Sequence, residues 1–318
     1  EIAQCLVGSE MCIRDSSGRY AKPEGVPAPL IAYNNPLFEK EQPIDKSRIV
    51  SDDKLKRLEE AFGATALLAQ EAGFDGADIK CCHRYLLSEM LSAFTRPGDY
   101  GGAFENRTRL LRNAIFAAKG ATSGEFLITS RVNLYDGFAY PYGFGVSPTG
   151  GLMPDLTEPK ALVTLLHEEL RLPMLDFTIG NPYVNPHVNR PYDGGPYVPD
   201  EHPLEGVARM LGCIGQLKKA FPSLCVIGSG FSYLRQFSPY LAAGAVEQSV
   251  CDLAGFGRMA FAYPDFPRDT LYGEGFNARK TCIACGKCSA LMRAGTVAGC
   301  VVRDGETYLP FYQAHCCV

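Results

Sequence analysis

Apolar positions in this chain follow two rhythms that alternate along its length. Phe74 to Ile79 is a short apolar run bounded by Gly73 and broken by Gly76, which reads as a buried strand of about six residues. Upstream, Leu55, Leu58, Phe62, Ala66 and Ala69 recur at spacings of three and four. They form the apolar stripe of a helix that Ser51 would cap and that Asp52 and Asp53 would favour at its positive end. The same alternation continues downstream. Strands are expected at 126–131, 174–178, 224–228 and 252–256, and helices at 105–118, 157–170, 204–220 and 233–243. Strands alternating with helices imply a parallel sheet. From that pattern alone a doubly wound sheet and a (β/α)8 barrel both remain open. Residues 21–50, rich in Pro, Asn and charge, read as a long loop over the active-site face.

Composition narrows the class. A chain of 318 residues with 46% hydrophobic positions can bury a full core. A net charge of −4 excludes an electrostatic case for a nucleic-acid partner. No apolar run approaches the length of a membrane span, and no secretory signal is evident. Thirteen cysteines are many, but their spacing is not that of a disulfide framework, so a reducing cytoplasm is the expected setting.

Three places carry candidate chemistry. The first strand ends in Lys80, Cys81, Cys82, His83, Arg84 and Tyr85, and titratable groups at the C-terminal end of a buried parallel strand are the layout of a barrel active site. Arg131 closes an otherwise apolar strand, where a guanidinium needs an anionic or carbonyl partner. A structural ion pair with Asp78 or another acid would satisfy it as well. Gly228-Ser229-Gly230 and Gly255-Phe256-Gly257-Arg258 follow the last two strands, where barrels commonly bind phosphate on bare backbone N–H groups, with Arg as a bidentate partner. Glycines that merely make turns are the plain alternative. The sharpest local signal is Cys282-x2-Cys285-x2-Cys288 followed by Cys300. Four thiolates suit zinc or an iron–sulfur cluster, and three close cysteines with one distant are more typical of a 4Fe–4S cluster.

The wording around the first strand closely resembles the old yellow enzyme family of FMN-dependent reductases. It is carried by Gly73-Phe74-Asp75-Gly76-Ala77-Asp78-Ile79-Lys80, His83, Tyr85-Leu86, Tyr100-Gly101-Gly102 and Glu105-Asn106-Arg107-Thr108-Arg109. Lys80 stands where the first carbonyl-binding His usually sits, and Arg84 replaces a Gly, which alters the pocket floor. The resemblance implies an α/β fold, the (β/α)8 TIM barrel of FMN-dependent oxidoreductase type, incomplete here with strands 4–8 and followed by a Cys-rich iron–sulfur segment. It implies that His83 and Lys80 donate to a developing enolate oxygen and that Tyr85 delivers the proton. Arg131 would face the carbonyl edge of the FMN ring, and Gly228, Ser229, Gly230, Gly257 and Arg258 would hold its phosphate. Residues 282–300 resemble the 2,4-dienoyl-CoA reductase branch, which implies a 4Fe–4S cluster on Cys282, Cys285, Cys288 and Cys300.

The implied function is an NAD(P)H:flavin oxidoreductase or ene-reductase acting on a small-molecule substrate with an activated C=C. Without a G-x-G-x-x-G motif in the chain, electrons are expected from free NAD(P)H or an electron-transfer protein. An iron–sulfur electron-transfer protein, or an inactive fragment, is the alternative. Residues 1–16 read as a non-native leader, and the resemblance resumes at Ser17-Gly18-Arg19-Tyr20, so the first three strand–helix units are expected to be missing. The expected organisation is therefore leader 1–16, partial FMN-binding barrel 17–270 and iron–sulfur segment 271–318.

Overall fold

Five short strands build one sheet: β1 Gly76–Asp78, β2 Leu127–Asn133, β3 Met174–Thr178, β4 Cys225–Gly228 and β5 Leu253–Ala254. The computed structural model describes residues 30–39, 43–149, 153–192, 197–273 and 275–317. The leader 1–16 and the stretch Ser17–Tyr20 lie outside the described residues. Every strand pairing is parallel, and the spatial order is β1-β2-β3-β4-β5. A doubly wound sheet needs a point where the strand order reverses. None occurs among these strands, so the sheet is singly wound, as barrel sheets are.

Strand β1 begins later than the apolar run suggests. Gly73 takes a φ of +85°, and the Phe74 N–H donates to the Ala69 carbonyl at 3.2 Å, so these residues finish the preceding helix. Beyond Asp78 the pairing carries on, with Ile79 N–H to Thr129 O at 2.9 Å and Cys81 N–H to Arg131 O at 2.7 Å. The helix Asp52–Glu71 is capped by Ser51, whose side chain accepts from the Lys54 N–H. It buries Leu55, Phe62, Ala66 and Ala69 against the helix Arg109–Ala121. The expected helix 157–170 splits into α-helix Thr157–Val163 and a π-helical turn Thr164–Glu169.

Along β2 burial alternates, with Ile128, Ser130 and Val132 buried and Thr129 and Arg131 half-buried. One face of the sheet therefore packs into the core and the other presents Asp78, Arg131 and Asp176, all partly accessible. After β5 a second core forms from Met259, Ala262, Tyr263 and Cys282, so the cysteine segment folds onto the helix Arg258–Ala262. No helix among the described residues is long and apolar enough to cross a membrane.

Candidate active site and cysteine cavity

The end of β1 is a left-handed turn. His83 and Arg84 have φ of +60° and +59°, a conformation that costs a non-glycine residue on the order of 1–3 kcal/mol. The turn leaves His83 and Tyr85 half-buried, while Cys81, Cys82 and Arg84 are buried. Lys80 places its Nζ 3.9 Å from the centre of the Tyr85 ring. Two of the three residues expected to act on substrate are thus in direct contact. Burial of the His83 ring, and then the positive charges of Arg131, Lys80 and Arg190, hold its pKa well below the usual imidazole range. His83 is a neutral imidazole at physiological pH and can present an N–H donor. Burial pushes the Cys82 thiol up to about 12, so it stays protonated and inert.

Arg131 and Asp176 are register partners on β2 and β3, and Arg131 Nε lies 3.1 Å from Asp176 Oδ2. Arg131 also donates to Ser229 Oγ at 3.2 Å, and that hydroxyl donates to Asp176 Oδ1 at 3.1 Å. Three adjacent strands thus contribute one closed polar cluster. The acid partner is Asp176. Asp78 instead accepts from Thr129 Oγ1 and from the Arg131 backbone N–H. Burial raises the Asp176 carboxyl to about 6 although Arg131 opposes the shift. The Arg131 side chain keeps 34% of its surface exposed, so it remains reachable from the open side.

The glycines divide into two groups. A side chain at Gly228 would meet Cys251 Sγ at 2.9 Å, and one at Gly230, where φ is +104°, would meet Met210 Sδ at 2.6 Å. Internal packing already accounts for those two. At Gly257, by contrast, nothing lies within 4 Å of a Cβ position and the residue is exposed. Its bare backbone faces open space, as a phosphate-binding turn requires.

Arg84 turns away from the open face into a buried polar hub. Its guanidinium donates to Ser92 Oγ at 2.5 Å and lies 3.7 Å from Asp136 Oδ2. It sits 4.9 Å from the Phe38 ring centre and 5.5 Å from that of Phe138. Asp136 in turn accepts from the Phe144 N–H at 2.8 Å. One side chain therefore ties the 31–39 loop, the 136–144 loop and the His83 turn together. The sequence flagged Arg84 as a departure but gave no sign of Asp136 as its partner.

Cys282, Cys285, Cys288 and Cys300 line one small cavity together with Arg258 and Arg303. Two sulfurs accept backbone hydrogen bonds at 3.4 Å, Cys282 Sγ from the Ala284 N–H and Cys300 Sγ from the Arg303 N–H. Four soft donors with N–H···S support are a donor set suited to an iron–sulfur cluster. Among the described residues, no three His, Cys, Asp or Glu side chains stand close enough to hold a single metal ion. Arg258, expected beside a phosphate, lines this cavity instead. Arg190, unremarked in the sequence, donates to Ser289 Oγ at 2.6 Å and joins the loop after β3 to the helix that carries Cys288.

With this geometry established, likeness to known proteins is informative. Residues 12–144 match the model of the NADH:flavin oxidoreductase / NADH oxidase family. An NADPH dehydrogenase from Clostridium acetobutylicum is 33% identical over 144 residues, which are 44% of this chain and 40% of that protein. The chain therefore spans well under half of that relative's length. Among solved structures, the 6-hydroxypseudooxynicotine amine oxidase from Pseudomonas geniculata N1 superposes with a TM-score of 0.63 at 23% identity, over 87% of this chain and 37% of that one. The old yellow enzyme homologue from Zymomonas mobilis gives 0.52 at 21% identity, over 74% and 57%. The structural likenesses establish an α/β fold shared with oxidoreductases. The sequence matches support an oxidoreductase that uses flavin and NAD(P)H.

Proposed function

We propose that the protein is an FMN-dependent NAD(P)H:flavin oxidoreductase of the ene-reductase kind, with a 4Fe–4S cluster at the four cysteines. The observation that carries the reading is the joint placement of Lys80, His83 and Tyr85 beside Arg131, within the stretch that matches the flavin oxidoreductase family. Arg131, fixed by Asp176 and Ser229, would meet the carbonyl edge of the FMN ring, and Ser229, Gly230 and Gly257 would lie along its phosphate. When bound, FMN supplies a hydride to the β-carbon of an activated alkene. Neutral His83 offers an N–H to the acceptor's oxygen, where negative charge develops, and the Lys80 ammonium adds to that stabilisation. Tyr85 holds the proton for the α-carbon, and Lys80 against its ring face favours giving it up. The cluster would carry single electrons to or from a partner.

The test is anaerobic. FMN-loaded protein is expected to be reduced by NADH or NADPH and reoxidised by a cyclic enone. Turnover with reduced ferredoxin but not with NAD(P)H would favour the second reading, an iron–sulfur electron-transfer protein, for which the cysteine cavity is the supporting observation.

A further inference from the structure

Arg258 is held in its place by its neighbour. Met259, next in the helix Arg258–Ala262, is fully buried, and its Sδ accepts the Cys282 N–H at 3.5 Å. That contact locks the start of the helix against the cysteine loop and puts Arg258 in the cavity wall. Much of the wall is apolar, with Phe261, Ile283 and Val301 among its residues. Four ligating thiolates bring more negative charge than an iron–sulfur core offsets, so the loaded cavity is anionic. An anionic group in an apolar wall needs nearby cations or N–H donors.

The cavity has two cationic side chains in its lining, Arg258 and Arg303. Arg303 is already engaged, because its Nε donates to the Thr281 carbonyl at 3.0 Å. Its backbone N–H serves Cys300 Sγ. Arg258 is the remaining guanidinium.

We propose that Arg258 is the charge-balancing residue of the cysteine-bound cluster, raising its reduction potential, and not a ligand of the flavin phosphate. The proposal rests on the cluster reading above. A positive charge beside an anionic cluster favours the added electron, so its removal lowers the potential.

The test uses the full chain loaded anaerobically with ferrous iron and sulfide, as wild type, Arg258→Gln and Arg258→Lys. Midpoint potentials of the cluster are measured by dye-coupled titration before FMN is added, and FMN affinity is then measured by fluorescence quenching. Arg258→Gln should make cluster reduction about tenfold less favourable, roughly 59 mV for a one-electron couple, with Arg258→Lys close to wild type. FMN affinity should be the same in all three. Should Arg258→Gln fail to load while Arg258→Lys loads, the requirement for charge stands. An unchanged potential in Arg258→Gln overturns the proposal, and weakened FMN binding alongside it would return Arg258 to the phosphate. If wild type takes up no iron and sulfide, the cluster reading itself falls, and this inference with it.

Discussion

Arg131 Nε and Asp176 Oδ2 lie 3.1 Å apart on register partners of two adjacent parallel strands, and Ser229 from a third strand closes the cluster. The pair settles where the guanidinium points and fixes a positive group on the accessible face of the sheet. It also places a carboxyl where burial raises its pKa.

That raised carboxyl makes stability depend on pH. Asp176 titrates at about 6 in the folded protein against an ordinary value of 3.8. The folded state therefore holds the proton more tightly than the unfolded chain. This contribution to stability is complete below 3.8 and is lost as pH rises through about 6. Asp136, raised to about 6 by its own burial, adds a fall in the same window. Asp176→Asn cannot ionise, so urea midpoints measured across this window should fall less steeply than in wild type. An unchanged slope would show that Asp176 is not shifted upward.

Removing the cation from the buried hub should be costly. Arg84→Met leaves Asp136 buried without its guanidinium, and breaking one side of a buried pair costs about 3–5 kcal/mol. The double variant Arg84→Met/Asp136→Asn removes both charges and should recover much of that loss in denaturant unfolding. Equal destabilisation in the single and double variants would mean that the two residues do not interact.

The cysteine cavity makes a separable prediction. Cys285→Ser removes one of the four sulfurs, so bound iron should fall sharply in anaerobically loaded protein while FMN binding persists. Iron content equal to wild type by elemental analysis would reject the ligand set.

Much of this arrangement was legible in the residues. The strand Met174–Thr178 was readable to its ends, because an apolar run between polar turns has few alternatives. The Ser51 cap was equally plain, since a capping hydroxyl acts on its own helix. Asp176 was visible as an acid inside an apolar strand, but its pairing with Arg131 depends on the register between strands 45 residues apart, which no local pattern encodes. Arg84 was legible as a departure from a motif. Its burial was not, because the pocket that receives it is assembled from Phe38, Ser92, Asp136 and Phe138 on three other segments. Arg258 carried a phosphate-site motif, yet the fold of a later segment brought the cysteines to it.

The most direct test of the central claim separates the two half-reactions in Tyr85→Phe. The hydroxyl is removed while the ring that meets Lys80 stays. Reduction of the FMN-loaded variant by NAD(P)H should match wild type. Its reoxidation by an enone should slow by about 10²- to 10⁴-fold, the usual loss when a positioned proton donor is removed. Reoxidation at the wild-type rate would contradict the account, because the proton would then come from somewhere other than the site formed by Lys80, His83 and Tyr85.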